Sequence, residues 1–216
     1  MPADVRRADI LAIAARVFST HGFVGATTRD IAREIGITEA ALYRYFPSKE
    51  AIYTAILEER LTAEDLVARF EEAARAGDDI AVFGGLAHAL LESVESDPTF
   101  LRLMLYSALE GHQLARPFQE RRVRRLREFL TSYIEQRTKA GAFRELDPVL
   151  AARAFVGMLI DHLTVREVYG MRAEYPQTNA EVAETFVAIF LRGVRREERP
   201  SATSKRRRAP RRFHNG

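Results

Sequence analysis

Glu39, Ala40, Tyr43, Arg44, Tyr45 and Lys49 fall within one short stretch, ITEAALYRYFPSK, residues 37–49. Their types suit contact with a polyanion that carries hydrogen-bonding edges. Arg44 can donate to guanine or to phosphate, and Tyr43 can offer its ring to a thymine methyl or its hydroxyl to phosphate. Glu39 can only accept, which suits a cytosine amino group, and small Ala40 lets a backbone approach base edges. Tyr45 lies at the flank, where its hydroxyl reaches toward a nucleic-acid backbone. Lys49 stands beside the first N–H groups of the next helix, so the two can clamp one phosphate. Thr27 and Thr28, at the start of the preceding helix, can do likewise.

These residues need elements that present them together. The first helix is expected at 4–20, with Ile10, Ala14, Val17 and Phe18 on one face and Gly22 as its stop. A second helix is expected at 28–35, opened by a capping box of Thr27 with Asp30 and closed by Gly36. Thr38 N-caps a third, Pro47 ends it, and Ser48 caps a fourth. In the third helix Leu42 and Phe46 lie four residues apart, with Thr38 near the same side, and should pack inward. Glu39, Ala40, Tyr43 and Arg44 then face outward. Two short helices joined by the tight turn EIGIT form a helix-turn-helix, whose second helix is placed to enter a major groove. An aromatic pair on a helix is more often core than contact surface, and here the spacing decides for contact. Charge does not decide it, because residues 1–50 hold seven Lys/Arg against six Asp/Glu.

The 216 residues are 47% hydrophobic and rich in Ala, Leu, Glu and Arg, with few alternating strand patterns, so the chain reads as all-α. The absence of Cys excludes disulfides, thiolate metal sites and thiol nucleophiles. No apolar stretch approaches the roughly 18–20 residues that span a bilayer, and the N-terminus lacks a signal-peptide pattern. A cytoplasmic protein with no membrane partner is expected. Residues 199–216 carry seven Lys/Arg and no acid, which leaves 26 Lys/Arg against 30 Asp/Glu in the rest. That polar, Pro-interrupted tail reads as disordered, able to add sequence-independent phosphate contact or only to solubilise.

Beyond residue 78 the helices lengthen, with expected spans at 79–95, 98–110, 116–140, 148–170 and 179–196. Asp97-Pro98 and Asp147-Pro148 read as helix starts, and Thr62 with Asp65 as a possible break. The expected organisation is a helix-turn-helix domain at 1–47, a connecting helix at 48–77, a helical body at 78–198 and the tail at 199–216.

The run TTRDIAREIGITEAALYRYFPSKEAIY, after a first helix ending FSTHGF, resembles the DNA-binding domain of TetR/AcrR-family transcriptional regulators over roughly residues 4–60. The resemblance implies a nine-helix homodimer on a palindromic double-stranded operator, usually a repressor released by a small ligand, with no enzymatic activity and no cofactor. By position it puts DNA contacts on Thr27, Thr28, Arg29, Thr38, Glu39, Ala40, Tyr43, Arg44, Tyr45 and Lys49. Many members carry His where this chain has Tyr45.

The resemblance also implies a ligand pocket among the middle helices. Candidates are Phe83, Leu86, Leu90, Phe100, Met104, Phe129, Tyr133 and Met158, with His162 as a polar handle. Such a lining favours a hydrophobic effector. The last two helices should pair across a two-fold axis through Gly157, Val182, Phe186, Ile189, Phe190 and Gly193. An enzyme is disfavoured, because P-loop, H-E-x-x-H, G-x-S-x-G and dinucleotide fingerprints are all missing. His88 and Glu92, one turn apart, lack further metal ligands. The alternative is a sequence-tolerant DNA-binding protein that relies on its basic tail.

Overall fold

The structure, a computed structural model, describes residues 3–62, 66–111 and 113–196. The expected break at Thr62–Asp65 and the basic tail lie wholly or partly outside them. Among the described residues the fold is all-α, with one isolated antiparallel bridge, Phe143–Arg195.

Local signals set most boundaries. Helix α2, Thr28–Ile35, opens on a complete Thr27/Asp30 capping box and ends on Gly36 in the left-handed region. Helix α3, Glu39–Tyr43, is capped by Thr38, whose Oγ1 accepts from Ala41 N at 3.1 Å. Helix α4, Lys49–Thr62, is capped by Ser48, whose Oγ accepts from Ala51 N at 3.1 Å. The first helix departs from expectation. Helix α1 runs Ala3–Gly25, and Gly22, at φ 72° and ψ 176°, breaks it rather than ending it.

After a 3₁₀ turn at Ala68–Phe70 comes a short helix α5, Glu71–Ala76, whose separate start the periodicity did not reveal. Then follow α6 (Asp79–Ser96), α7 (Thr99–Glu110), a short α8 (Arg116–Phe118) and α9 (Arg124–Lys139). Helix α10, Pro148–Leu163, starts at Asp147, whose carboxylate accepts from Val149 N and Leu150 N, and continues into a π turn at Thr164–Val168. Helix α11, Asn179–Val194, opens on a Thr178/Glu181 capping box that went unread in the sequence.

Two apolar cores result. The N-terminal core joins α1 to α4 through Ile10, Phe18, Ile31, Leu42, Phe46, Ile52 and Tyr53, and it extends onto α7 through Leu103. The second core, in the body, centres on Phe83, which meets Phe190, Phe155 and Tyr133 at ring separations of 4.8, 4.9 and 5.8 Å. A buried polar knot ties the start of α6 to α9. Asp79 accepts from Tyr133 Oη at 2.8 Å and from Arg137 Nε at 2.8 Å. Because its carboxylate is the acceptor, Asp79 adds to burial in pushing the Tyr133 hydroxyl far above the ordinary tyrosine range.

The expectation that no apolar stretch approaches membrane-spanning length does not hold. The 21-residue helix Pro148–Val168 is long and apolar enough to cross a membrane by length and composition alone. It packs against α6, α9 and α11 through Ala152, Phe155, Leu159 and Leu163. Core packing accounts for the apolar residues on that side, while Val149 and Leu150 are exposed.

Candidate nucleic-acid interface

The predicted inward phase holds for Leu42 and Phe46. Leu42 and Phe46 are 0% and 2% exposed, and the Arg7 guanidinium covers the Phe46 ring at 4.4 Å. Ala40, Tyr43 and Arg44 are exposed on the opposite edge, Arg44 as the C-cap. Thr38 is exposed rather than inward, and its hydroxyl is used in the cap. Tyr45 is half-buried against the N-terminal core. Arg29 is exposed on the first turn of α2.

Helices α2 and α3 are pre-connected on this edge. Thr28 Oγ1 donates to Glu39 Oε1, and it lies 3.2 Å from the Tyr43 hydroxyl. Arg29 Nε lies 4.0 Å from Glu39 Oε2. The Glu39 carboxylate is thus turned toward the N-terminus of α2, where the helix dipole favours an anion. A cytosine amino group would have to compete with Thr28 for it. The same network fixes where the Tyr43 hydroxyl points.

Beside this edge lies a shallow groove of about 350 Å³, lined by Thr27, Thr28, Tyr43, Ser48, Lys49 and Glu50 among others. The N-termini of α2 and α4 both open on it, an arrangement suited to a phosphate. The Lys49 ammonium is directed elsewhere. It donates to Phe23 O at 2.7 Å and to Ala26 O at 2.9 Å, and lies 4.4 Å from the centre of the Phe23 ring. Glu50 contributes a negative charge to the groove. Its own backbone amide, and then the Ser48 hydroxyl, hold its carboxyl below the ordinary range.

The predicted effector residues divide between the two cores. Phe83, Leu86, Leu90, Phe129, Tyr133 and Met158 belong to the body core, where Phe83, Leu86 and Tyr133 are almost fully covered by neighbouring side chains. Phe100 and Met104 pack instead on the N-terminal core, because that face of α7 looks toward α1 and α4. His162 stands edge-on to Phe186 at 5.7 Å and to Tyr175 at 6.4 Å, with its Nε2 buried and unpartnered. Burial, and then the Arg166 charge, lower its pKa.

The predicted partner-facing set also divides. Gly157, Ile189 and Gly193 are exposed and Phe186 is half-buried, but Val182 and Phe190 are 4% and 6% exposed. Those two turn inward with Ala183, Val187, Leu191 and Val194. The apolar residues of α11 divide between two faces, and helical phase assigns these two to the chain's own core.

A three-helix head of this geometry, seated on a larger helical body, defines a helix-turn-helix DNA-binding regulator. The chain belongs to the TetR family of bacterial regulatory proteins. Residues 10–56 match "Bacterial regulatory proteins, tetR family", and residues 85–193 match "AefR-like transcriptional repressor, C-terminal domain". Membership places it among transcription regulators and not among enzymes. It is 29% identical to the nucleoid occlusion factor SlmA of Marinobacter nauticus, over 87% of this chain and 80% of the relative. It is 28% identical to the HTH-type transcriptional repressor KstR2 of Mycobacterium tuberculosis, over 89% of this chain and 94% of the relative. The solved structure of ketosteroid transcriptional regulator KstR2 from Mycobacterium tuberculosis superposes with a TM-score of 0.69 at 26% identity, covering 89% of this chain and 96% of that one.

Proposed function

We propose that this chain is a ligand-responsive repressor that binds a palindromic operator as a homodimer. Helix α3 enters the major groove, and a small hydrophobic effector in the body releases it. The observation that carries the DNA reading is the division of α3, with Leu42 and Phe46 buried and Ala40, Tyr43 and Arg44 exposed on one edge. Phosphates take the groove where α2 and α4 begin. Pairing of two copies through Gly157, Phe186, Ile189 and Gly193 would cover the outer face of α10 and α11, where Ile189 is 57% exposed. The hydrophobic class of the effector is favoured by the apolar, aromatic composition of the body and by the likeness to a regulator named for ketosteroids.

Selection from random duplexes tests the reading. The full chain should enrich one inverted repeat and prefer it over random DNA by roughly 10³-fold or more at physiological salt. Tyr43→Ala and Arg44→Ala should relax the preference at defined base pairs. Equal binding to all duplexes would overturn the operator reading and favour the sequence-tolerant alternative.

A further inference from the structure

The break in α1 frees backbone groups on both sides of Gly22, and α7 supplies partners for both. Before the break, the carbonyl of Thr20 accepts from the Tyr106 hydroxyl at 3.0 Å. After it, the amides of Phe23 and Val24 donate to the two oxygens of Glu110 at 3.0 and 3.2 Å. Tyr106 and Glu110 are four residues apart, so one face of α7 carries the donor and the acceptor that the broken helix needs. The turn beyond the break closes through Ala26 N to Gly22 O at 3.3 Å. Its carbonyls, Phe23 O and Ala26 O, are taken by the Lys49 ammonium. One turn of backbone is therefore held by an anion from α7 at its start and by a cation from α4 at its end. The next residue, Thr27, is the cap of α2.

Helix α7 is also fixed to the body. Arg102 Nη2, in its first turn, donates to Glu167 O in the π turn after α10 at 3.0 Å. Leu101 and Leu105 pack on the body core while Leu103, Phe100 and Met104 pack on the head. Apolar packing is non-directional and tolerates sliding. The carboxylate on two adjacent amides is directional and sits in the last turn of α7, ahead of the irregular 3₁₀, α and π turns at 113–123.

We propose that Glu110 is a positioning residue through which the body sets the orientation of the DNA-binding head, by gripping the Phe23 and Val24 amides at the Gly22 break. The proposal rests on the regulator reading only for its consequence on DNA. Movement of the last turn of α7 is passed to the 23–26 turn, and from there to the starts of both α2 and α4. Glu110→Gln keeps the shape but replaces one acceptor oxygen by an NH₂ group, which would face a second N–H donor.

The chain has no Cys, so Glu34→Cys and Gln136→Cys introduce unique spin labels on the head and on α9. Both positions are exposed. The labelled full chain is diluted into unlabelled protein and its intrachain distance distribution measured by pulsed electron resonance. Glu110→Gln should broaden that distribution about two-fold or more at unchanged far-UV helicity, with Tyr106→Phe intermediate. A Glu110→Gln distribution that superimposes on the parent overturns the proposal. If helicity falls with Glu110→Gln, the Tyr106→Phe distribution decides, and an unchanged one overturns it. On a duplex selected by the parent protein, Glu110→Gln should bind about ten-fold more weakly with the same base preference. Failure to select any duplex would remove the operator reading and leave the distance result standing.

Discussion

Lys49 donates its ammonium to the carbonyl of Phe23 at 2.7 Å and covers the Phe23 ring at 4.4 Å. The charge that opens α4 is spent inside the head, closing the end of α1. Lys49→Met should therefore cost about 1.5–3 kcal/mol of stability, the range for charged hydrogen bonds, measured by urea unfolding. The salt dependence of DNA binding should keep its slope. A slope reduced by about one, at unchanged stability, would instead mark Lys49 as a phosphate contact.

Gly22 is the second position where the head depends on one residue type. Its φ of 72° and ψ of 176° lie in a region reserved for glycine, and an added Cβ would run into Glu110 Oε1 and the Tyr106 ring. Gly22→Ala should destabilise the head by about 1–3 kcal/mol from backbone strain alone, with further loss from the clash. Thermal melts check this, and Gly22→Ala should cost more than Gly36→Ala, because Gly36 sits in the left-handed helical region that other residues can adopt. Gly36, also at positive φ, has open space around it.

Glu50 puts a fixed negative charge in the groove between the starts of α2 and α4. Its folded pKa is depressed, so it stays ionised throughout the neutral range. Glu50→Gln should strengthen binding to DNA of any sequence by a few-fold, an effect that fades at high salt. Titrations at two salt concentrations check this. Weaker binding would show that Glu50 serves the interface in another way.

His162 gives a pH dependence of defined sign. Burial, then the Arg166 charge, depress its pKa in the folded state, against opposing contributions from Asp161 and Glu167. Above the unfolded value both states are neutral and His162 contributes no slope. As pH falls through the unfolded value, the unfolded chain takes the proton first and stability drops until the folded pKa is reached. His162→Gln should therefore lose less stability than the parent between about pH 7 and pH 5. Parallel melts across that range decide it, and equal slopes would count against the cause given.

Sequence alone determined the elements whose signals lie within a few residues. Thr27 with Asp30, Gly36, Thr38, Ser48 and Asp147-Pro148 each act through hydrogen bonds to neighbouring backbone, so they could be read without knowing the fold. The inward phase of Leu42 and Phe46 was legible for the same local reason, as was the likeness of the head to a known family. What only the tertiary structure decided is which neighbour each face meets. Periodicity fixes the angle of a side chain about its helix axis but says nothing of what stands on that side. So Phe100 and Met104 went to the head, and Val182 and Phe190 to the chain's own core. Lys49 found carbonyls 26 and 23 residues back, and Glu110 found amides 87 and 86 residues away. Pairings at that separation leave no periodic trace in the sequence, because they depend on helices brought together by packing and not on spacing along any one of them.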